Sequence, residues 1–203
     1  MSERLRPLIQ RAVLDIVEYD YQTRTEMVQL NRQMPFCVMS YLKRGEALLR
    51  IQDREYCCRD GDAIFVPPNV IHDHVKMSRE ESEFLWWHFN FRTAYNIDVL
   101  SLLKLPCKVH MENSSEFEQK FFDYMEAIQN EETIADMIYK NAKALEVLAC
   151  IFDSFLKSEK TQLAPDIPAV FMDIFDDISQ RPTAGMNLSL IHISEPTRRV
   201  VIS

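Results

Sequence analysis

Within RDGDAIFVPPNVIHDH, Arg59 to His74, two histidines stand two positions apart, His72 and His74. Ala63–Val66 reads as a buried strand and Pro67-Pro68-Asn69 as a rigid corner. The next strand then returns with both imidazoles on one face, because side chains on a strand repeat every second residue. Imidazoles aimed into one space can exchange hydrogen bonds with a small molecule, or join a metal site where further imidazoles and a carboxylate converge. A second set lies in EFLWWHFNF, Glu83 to Phe91. Alternation there puts Phe84, Trp86, His88 and Asn90 on one face and Leu85, Trp87, Phe89 and Phe91 on the other. Both faces are bulky, so this strand is covered on both sides or lines a cavity. Arg44 stands beside a turn glycine, Gly45, from which its guanidinium could reach the same space.

Positioning these groups takes several strands. From Phe36 to Phe91 short apolar or alternating runs are separated by turn residues at Lys43-Arg44-Gly45, Gln52-Asp53-Arg54, Arg59 to Asp62 and Pro67-Pro68-Asn69, which predicts a sandwich or barrel. After Met111 the period changes. NSSEFEQKFFDYMEAIQ opens with a capping box, Ser115 and Glu118, and repeats apolar residues at Phe117, Phe121, Met125 and Ile128, the pattern of an amphipathic helix. A second box, Thr133 with Asp136, starts a longer helix whose stripe is Ile134, Met137, Ile138, Leu145, Leu148, Phe152 and Phe155. About 25 residues at ~1.5 Å each make roughly 37 Å, more than one side of a small barrel needs. Apolar surface is therefore left near its middle or end, where a second subunit could pair. Thr161–Asp166 reads as a linker, and Ile167, Val170, Phe171, Ile174 and Ile178 resume helical spacing to Gln180.

The 203 residues are 47% hydrophobic and 27% charged, a globular balance that excludes a disordered chain. A formal charge of −8 speaks against a polyanion-binding surface, which needs clustered Lys and Arg. No apolar run reaches bilayer length and the N-terminus lacks a signal-peptide pattern, so a cytoplasmic location with no membrane contact is expected. The five cysteines show no paired-ligand spacing, which predicts reduced packing thiols rather than a disulfide framework or a zinc site. No Ser/His/Asp signature, P-loop or GxGxxG is present.

Gly61, Pro67 and His72 follow in the order of the second cupin motif, with Asn69 where a glycine is usual. SYLKRGEALLRIQDREYCCRDGDAIFVPPNVIHDH, followed after a short gap by FLWWHFNF, resembles the sugar-sensing domain of the AraC family of bacterial transcription regulators. The resemblance covers Met39 to Phe91, and the two helices that follow fit that family's dimerisation helices. It implies an α+β chain, a cupin-like double-stranded β-helix barrel with amphipathic dimerisation helices after it. The organisation it implies is an N-terminal arm (1–35), the effector-binding barrel (36–112), dimerisation helices (113–158), a linker (159–166), the start of a truncated helix-turn-helix domain (167–187) and a tail (188–203). Arg44, His72, His74, Phe84, Trp86 and His88 would line the lumen around a small-molecule effector. For a sugar, Trp86 would give a stacking face and His74, His88 and Arg44 would bond to hydroxyls. The expected partners are that effector and a second copy of the chain through the helices, with DNA only in the intact parent. No catalytic residue, metal or cofactor is expected.

Each of these residues has a plainer role open to it: Trp86 as core, His72 satisfying backbone groups after the proline corner, Arg44 as a solvated turn residue. The alternative function is a metal-dependent cupin enzyme. Tyr41 to Asp53, where the first cupin motif would place its ligands, holds no histidine, which leaves His72, His74 and His88 with Glu83 as an improvised set. The C-terminal LSLIHISEPTR, Leu188 to Arg198, resembles the in-frame translation of a transposase sequencing adapter. Ile202 and Ser203 match its constant part beyond a variable index. That likeness implies foreign sequence after Asn187, to be set aside in reasoning about the fold.

Overall fold

A computed structural model of the chain describes residues 2–76, 78–93, 96–129 and 133–163. Helix α1 (Ser2–Ile9) leads into strands β1 (Ala12–Arg24) and β2 (Val28–Arg32). Then come β3 (Cys37–Arg44), β4 (Glu46–Ile51), β5 (Arg54–Arg59), β6 (Asp62–Val66), β7 (His72–Val75) and β8 (Ser82–Thr93). A 3-10 turn at Leu100–Leu102 precedes the short β9 (Leu103–Lys104) and β10 (Lys108–His110). Helices α2 (Ser114–Gln129) and α3 (Ile134–Lys157) follow, and β11 (Gln162–Leu163) pairs back onto β9. The chain divides into a unit of residues 1–167 and a second of residues 168–203. The expected helix-turn-helix start and adapter-like tail, 167–187 and 188–203, lie outside the described residues, as do residues 164–166 of the expected linker.

Two antiparallel sheets, ordered β1-β8-β3-β6-β10 and β2-β7-β4-β5, form the body. They share one apolar core: Val38, Leu42, Ile64, Val66 and Phe84 of the first sheet pack with Ala47, Leu49, Ile51 and Cys58 of the second. The outer face of the five-stranded sheet is closed by α2 and α3. Trp87 stacks on Phe121 with ring centroids 5.8 Å apart, Tyr41 meets Phe117 edge-on, and Phe65 meets Phe152 and Phe155. The α+β, cupin-like arrangement of two sheets followed by two helices is thus the one expected. Strand β8 is covered on both sides, its even-numbered residues by the inter-sheet space and its odd-numbered ones by the helices.

Two turns explain why the strands return where they do. Gly45, between β3 and β4, has φ +100°, and a Cβ there would stand 2.1 Å from Ser82 Oγ and 2.9 Å from its Cα, so no side chain fits. Asn69, where the cupin motif usually has glycine, has φ +63°, and asparagine is the residue that best tolerates this left-handed conformation after glycine. The corner is held by the Asn69 amide donating to Met34 O at 2.7 Å.

The segment 1–35, expected as an arm, contributes β1 to the five-stranded sheet against β8 and β2 to the four-stranded sheet against β7. Its alternation accounts for this: Tyr19 and Tyr21 face α2, meeting Tyr124 and Phe122 edge-on, while the residues between them are polar. The capping box at Thr133 and Asp136 forms as expected. The one expected at Ser115 does not, because α2 already begins at Ser114 and Glu118 instead accepts a 2.7 Å hydrogen bond from the Tyr41 hydroxyl. Helix α3 divides into two halves. Val147, Leu148, Ile151, Phe152 and Phe155 are buried, whereas Ile134, Met137, Ile138 and Leu145 are exposed, Ile134 at 77% and Ile138 at 65%. No helix among the described residues is long and apolar enough to cross a membrane.

Candidate functional site

Between the sheets, on the side of β1 and β2, lies a cavity of about 220 Å³. Strand β8 supplies Phe84, Trp86 and His88, β7 supplies His74, and β3 supplies Val38 and Ser40. Gln22 and Arg24 come from β1, Gln29 and Arg32 from β2, and Met27 from the connection between them. Register explains the set. Opposite residues of antiparallel strands share a face, and Ser40 pairs with Trp86, Val38 with His88, Gln22 with Phe84 and Gln29 with His74.

Of the six residues expected in the lumen, His74, Phe84, Trp86 and His88 line this cavity together. His74 meets Phe84 edge-on at 5.9 Å, and the His88 ring contacts Trp86, tilted at 4.8 Å, and Phe36, stacked at 5.0 Å. His72 is buried on the same strand face but not at the cavity wall. Its Nδ1 lies 3.0 Å from Val70 O, the backbone role left open for it, and its Nε2 has no partner. Arg44 is not brought to the cavity. The β3–β8 register shifts between Leu42 and Arg44, and this irregularity turns Arg44 outward, where it pairs with Glu81 at 3.1 Å and Glu83 at 3.3 Å.

The hydrogen bonds at His88 decide its protonation. Arg32 Nη2 lies 3.3 Å from His88 Nε2, and a guanidinium can only donate, so Nε2 accepts. The proton therefore sits on Nδ1, which donates to Glu18 Oε2 at 3.1 Å. Burial lowers the His88 pKa, the nearby Arg32 charge lowers it further, and Glu18 opposes both. His74 is driven down to about 4, by burial first and then by His72, Arg32 and Arg24, so it is neutral at neutral pH. The cavity thus offers two neutral imidazoles, an indole face and two guanidiniums.

A metal ion fits this arrangement poorly. The position beside His88 Nε2 is taken by a cation, and Glu83, the carboxylate of the improvised set, faces away, accepting a 2.5 Å hydrogen bond from the Tyr21 hydroxyl. Among the described residues no group of three His, Cys, Asp or Glu side chains is placed to hold one.

Gln22, Arg24, Gln29, Arg32 and Ser40 were not among the residues singled out from sequence. A signal existed in VEYDYQTR: between Val17 and Arg24 aromatic Tyr19 and Tyr21 alternate with polar Glu18, Asp20, Gln22 and Arg24. In a strand whose outer face packs on helices, a polar row points at the lumen.

The family model for the AraC-like ligand binding domain matches residues 29–148. No curated protein matches the chain. Partial likenesses to solved structures include a cupin superfamily protein from Desulfitobacterium hafniense DCB-2, 13% identical, covering 38% of this chain and 75% of that one at a TM-score of 0.30. The protein YhaK from Escherichia coli is 11% identical over 49% of this chain and 44% of its own, with a TM-score of 0.37. The EutQ protein of Clostridium difficile is 12% identical over 38% and 68%, with a TM-score of 0.31.

Proposed function

The chain belongs to the family of AraC-like ligand-binding domains, and from that premise we propose that it is the effector-sensing and dimerisation part of an AraC-type transcription regulator. A small molecule enters the cavity between the sheets, and in the intact parent its binding biases how two DNA-binding domains are presented. The observation that carries this reading is the convergence of Trp86, His74 and His88 on one cavity of about 220 Å³. That volume is at the small end for ligand pockets and suits one small molecule such as a monosaccharide. An indole face suits the apolar side of a sugar ring, and neutral imidazoles both donate to and accept from hydroxyls.

The exposed half of α3 is the surface we assign to a second copy of the chain. Ile134, Ile138 and Leu145 recur at helical spacing and continue the stripe that Leu148, Phe152 and Phe155 bury. The alternative, a metal-dependent cupin enzyme, is disfavoured by the guanidinium at His88 Nε2. Stoichiometric iron, manganese or nickel in the purified protein would restore it.

The test is calorimetric titration of small sugars and sugar acids into the chain and into Trp86→Ala and His74→Ala. A ligand bound by the parent chain is expected to lose at least tenfold in affinity in each variant. Unchanged affinity in both would refute the assignment of the cavity.

A further inference from the structure

We propose that the effector is an anion, a small molecule whose carboxylate or phosphate oxygens are held between Arg24 and Arg32. This rests on the effector-sensing reading of the same cavity and specifies the class of ligand. The two arginines approach from different sheets, Arg24 at the end of β1 and Arg32 at the end of β2. Both line the cavity, and none of the residues lining it is an aspartate or glutamate. In a chain with 31 acidic residues against 23 Lys and Arg, a purely cationic lining is opposite in sign to the molecule as a whole.

Among the described residues neither guanidinium has a carboxylate within ion-pair distance, whereas at the surface Arg44 has two and Arg50 one. Their partners are neutral: Arg24 Nε donates to Gln22 Oε1 at 2.7 Å, Arg32 Nη1 to Gln29 Oε1 at 2.9 Å and Arg32 Nη2 to His88 Nε2. These bonds orient the two forks while leaving most of the five donors on each free. Arg32 is half-buried and that burial disfavours its charged form; the Glu18 carboxylate, bonded to His88 rather than to Arg32, offsets part of this, and Arg24 adds a like charge facing the same space. Burying a charge that is only partly compensated is costly, and a bound carboxylate or phosphate would relieve it with charge-assisted, bidentate hydrogen bonds. His74 adds no charge to this, since it is neutral. With Trp86 it is left to recognise the uncharged remainder of the ligand.

The experiment uses the full chain and three probes that fit any such cavity: acetate, inorganic phosphate and the neutral sugar galactose. Thermal unfolding and tryptophan fluorescence are followed against sodium chloride at matched ionic strength. A saturable rise in melting temperature with acetate or phosphate is expected, weakened at least tenfold in Arg24→Gln and Arg32→Gln and partly kept in the Lys variants. Circular dichroism confirms that each variant is folded. Acetate alone would identify a carboxylate effector, and phosphate alone a phosphorylated one. No anion effect beyond chloride, or one that persists in both Gln variants, overturns the proposal. Binding of galactose without either anion overturns it while leaving the effector-sensing reading intact, and silence from all three probes counts against both.

Discussion

His74 is where burial and function meet at the scale of one residue. Its ordinary pKa of 6.5 falls to about 4 in the fold. As pH drops through 6.5 the unfolded chain takes up a proton that the folded chain refuses, so stability is fully present above pH 6.5 and declines toward pH 4. About 2.5 units at ~1.36 kcal/mol each make the loss about 3 kcal/mol. His72 and His88 are shifted in the same direction and act with the same sign. Urea midpoints at pH 7 and pH 4.5 should therefore differ clearly in the parent chain and much less in His74→Gln, and equal drops in both would place the titration elsewhere. His74, Phe84, Trp86 and His88 were legible because strand alternation alone fixes which side chains share a face. Arg44 has the inward parity too, yet a local register irregularity re-aims it, and nothing in the residue string marks that shift. Arg24 and Arg32 were hidden for the opposite reason: their strands pair with partners forty or more residues away, and an edge strand with one polar face reads as an arm when taken alone.

At the scale of the elements, β8 and α3 each serve two neighbours. Strand β8 presents Trp86 and His88 to the cavity and Trp87 and Phe89 to the packed outer face, where Trp87 stacks on Phe121 of α2. Helix α3 holds the body with its C-terminal half and leaves Ile134, Met137 and Ile138 in the open. Ile138→Glu should convert a dimer into a monomer in sedimentation equilibrium while costing the monomer little stability, because an exposed substitution removes no packing. A dimer that survives this change, or a parent chain that is monomeric at tens of micromolar, would contradict the role given to α3. The two helices, the capping box at Thr133 and the length of α3 could all be read in advance from period and caps. Which half of the stripe would be buried could not, since both halves carry the same pattern and only the width of the sheet beneath decides where the packing ends.

Within the unit of residues 1–167, the apolar core between the two sheets gives way to a cavity that is polar on the side where β1 and β2 line it. The α+β class and the cupin-like pair of sheets were readable from closely spaced turns, the Gly61–Pro67–His72 order and the aromatic strand, and the match over residues 29–148 agrees with them. Strands β1 and β2 were not, because their contribution exists only once the sheets are assembled. Effector sensing requires that this cavity take up a small molecule beside Trp86. The most direct measurement is fluorescence of the Trp87→Phe chain, in which Trp86 is the sole tryptophan, during titration with small sugars, sugar acids and sugar phosphates. A saturable, one-to-one change is expected for at least one of them, and its loss when His74→Ala is added. No change with any of them, or a change that His74→Ala leaves untouched, would contradict effector sensing in this cavity.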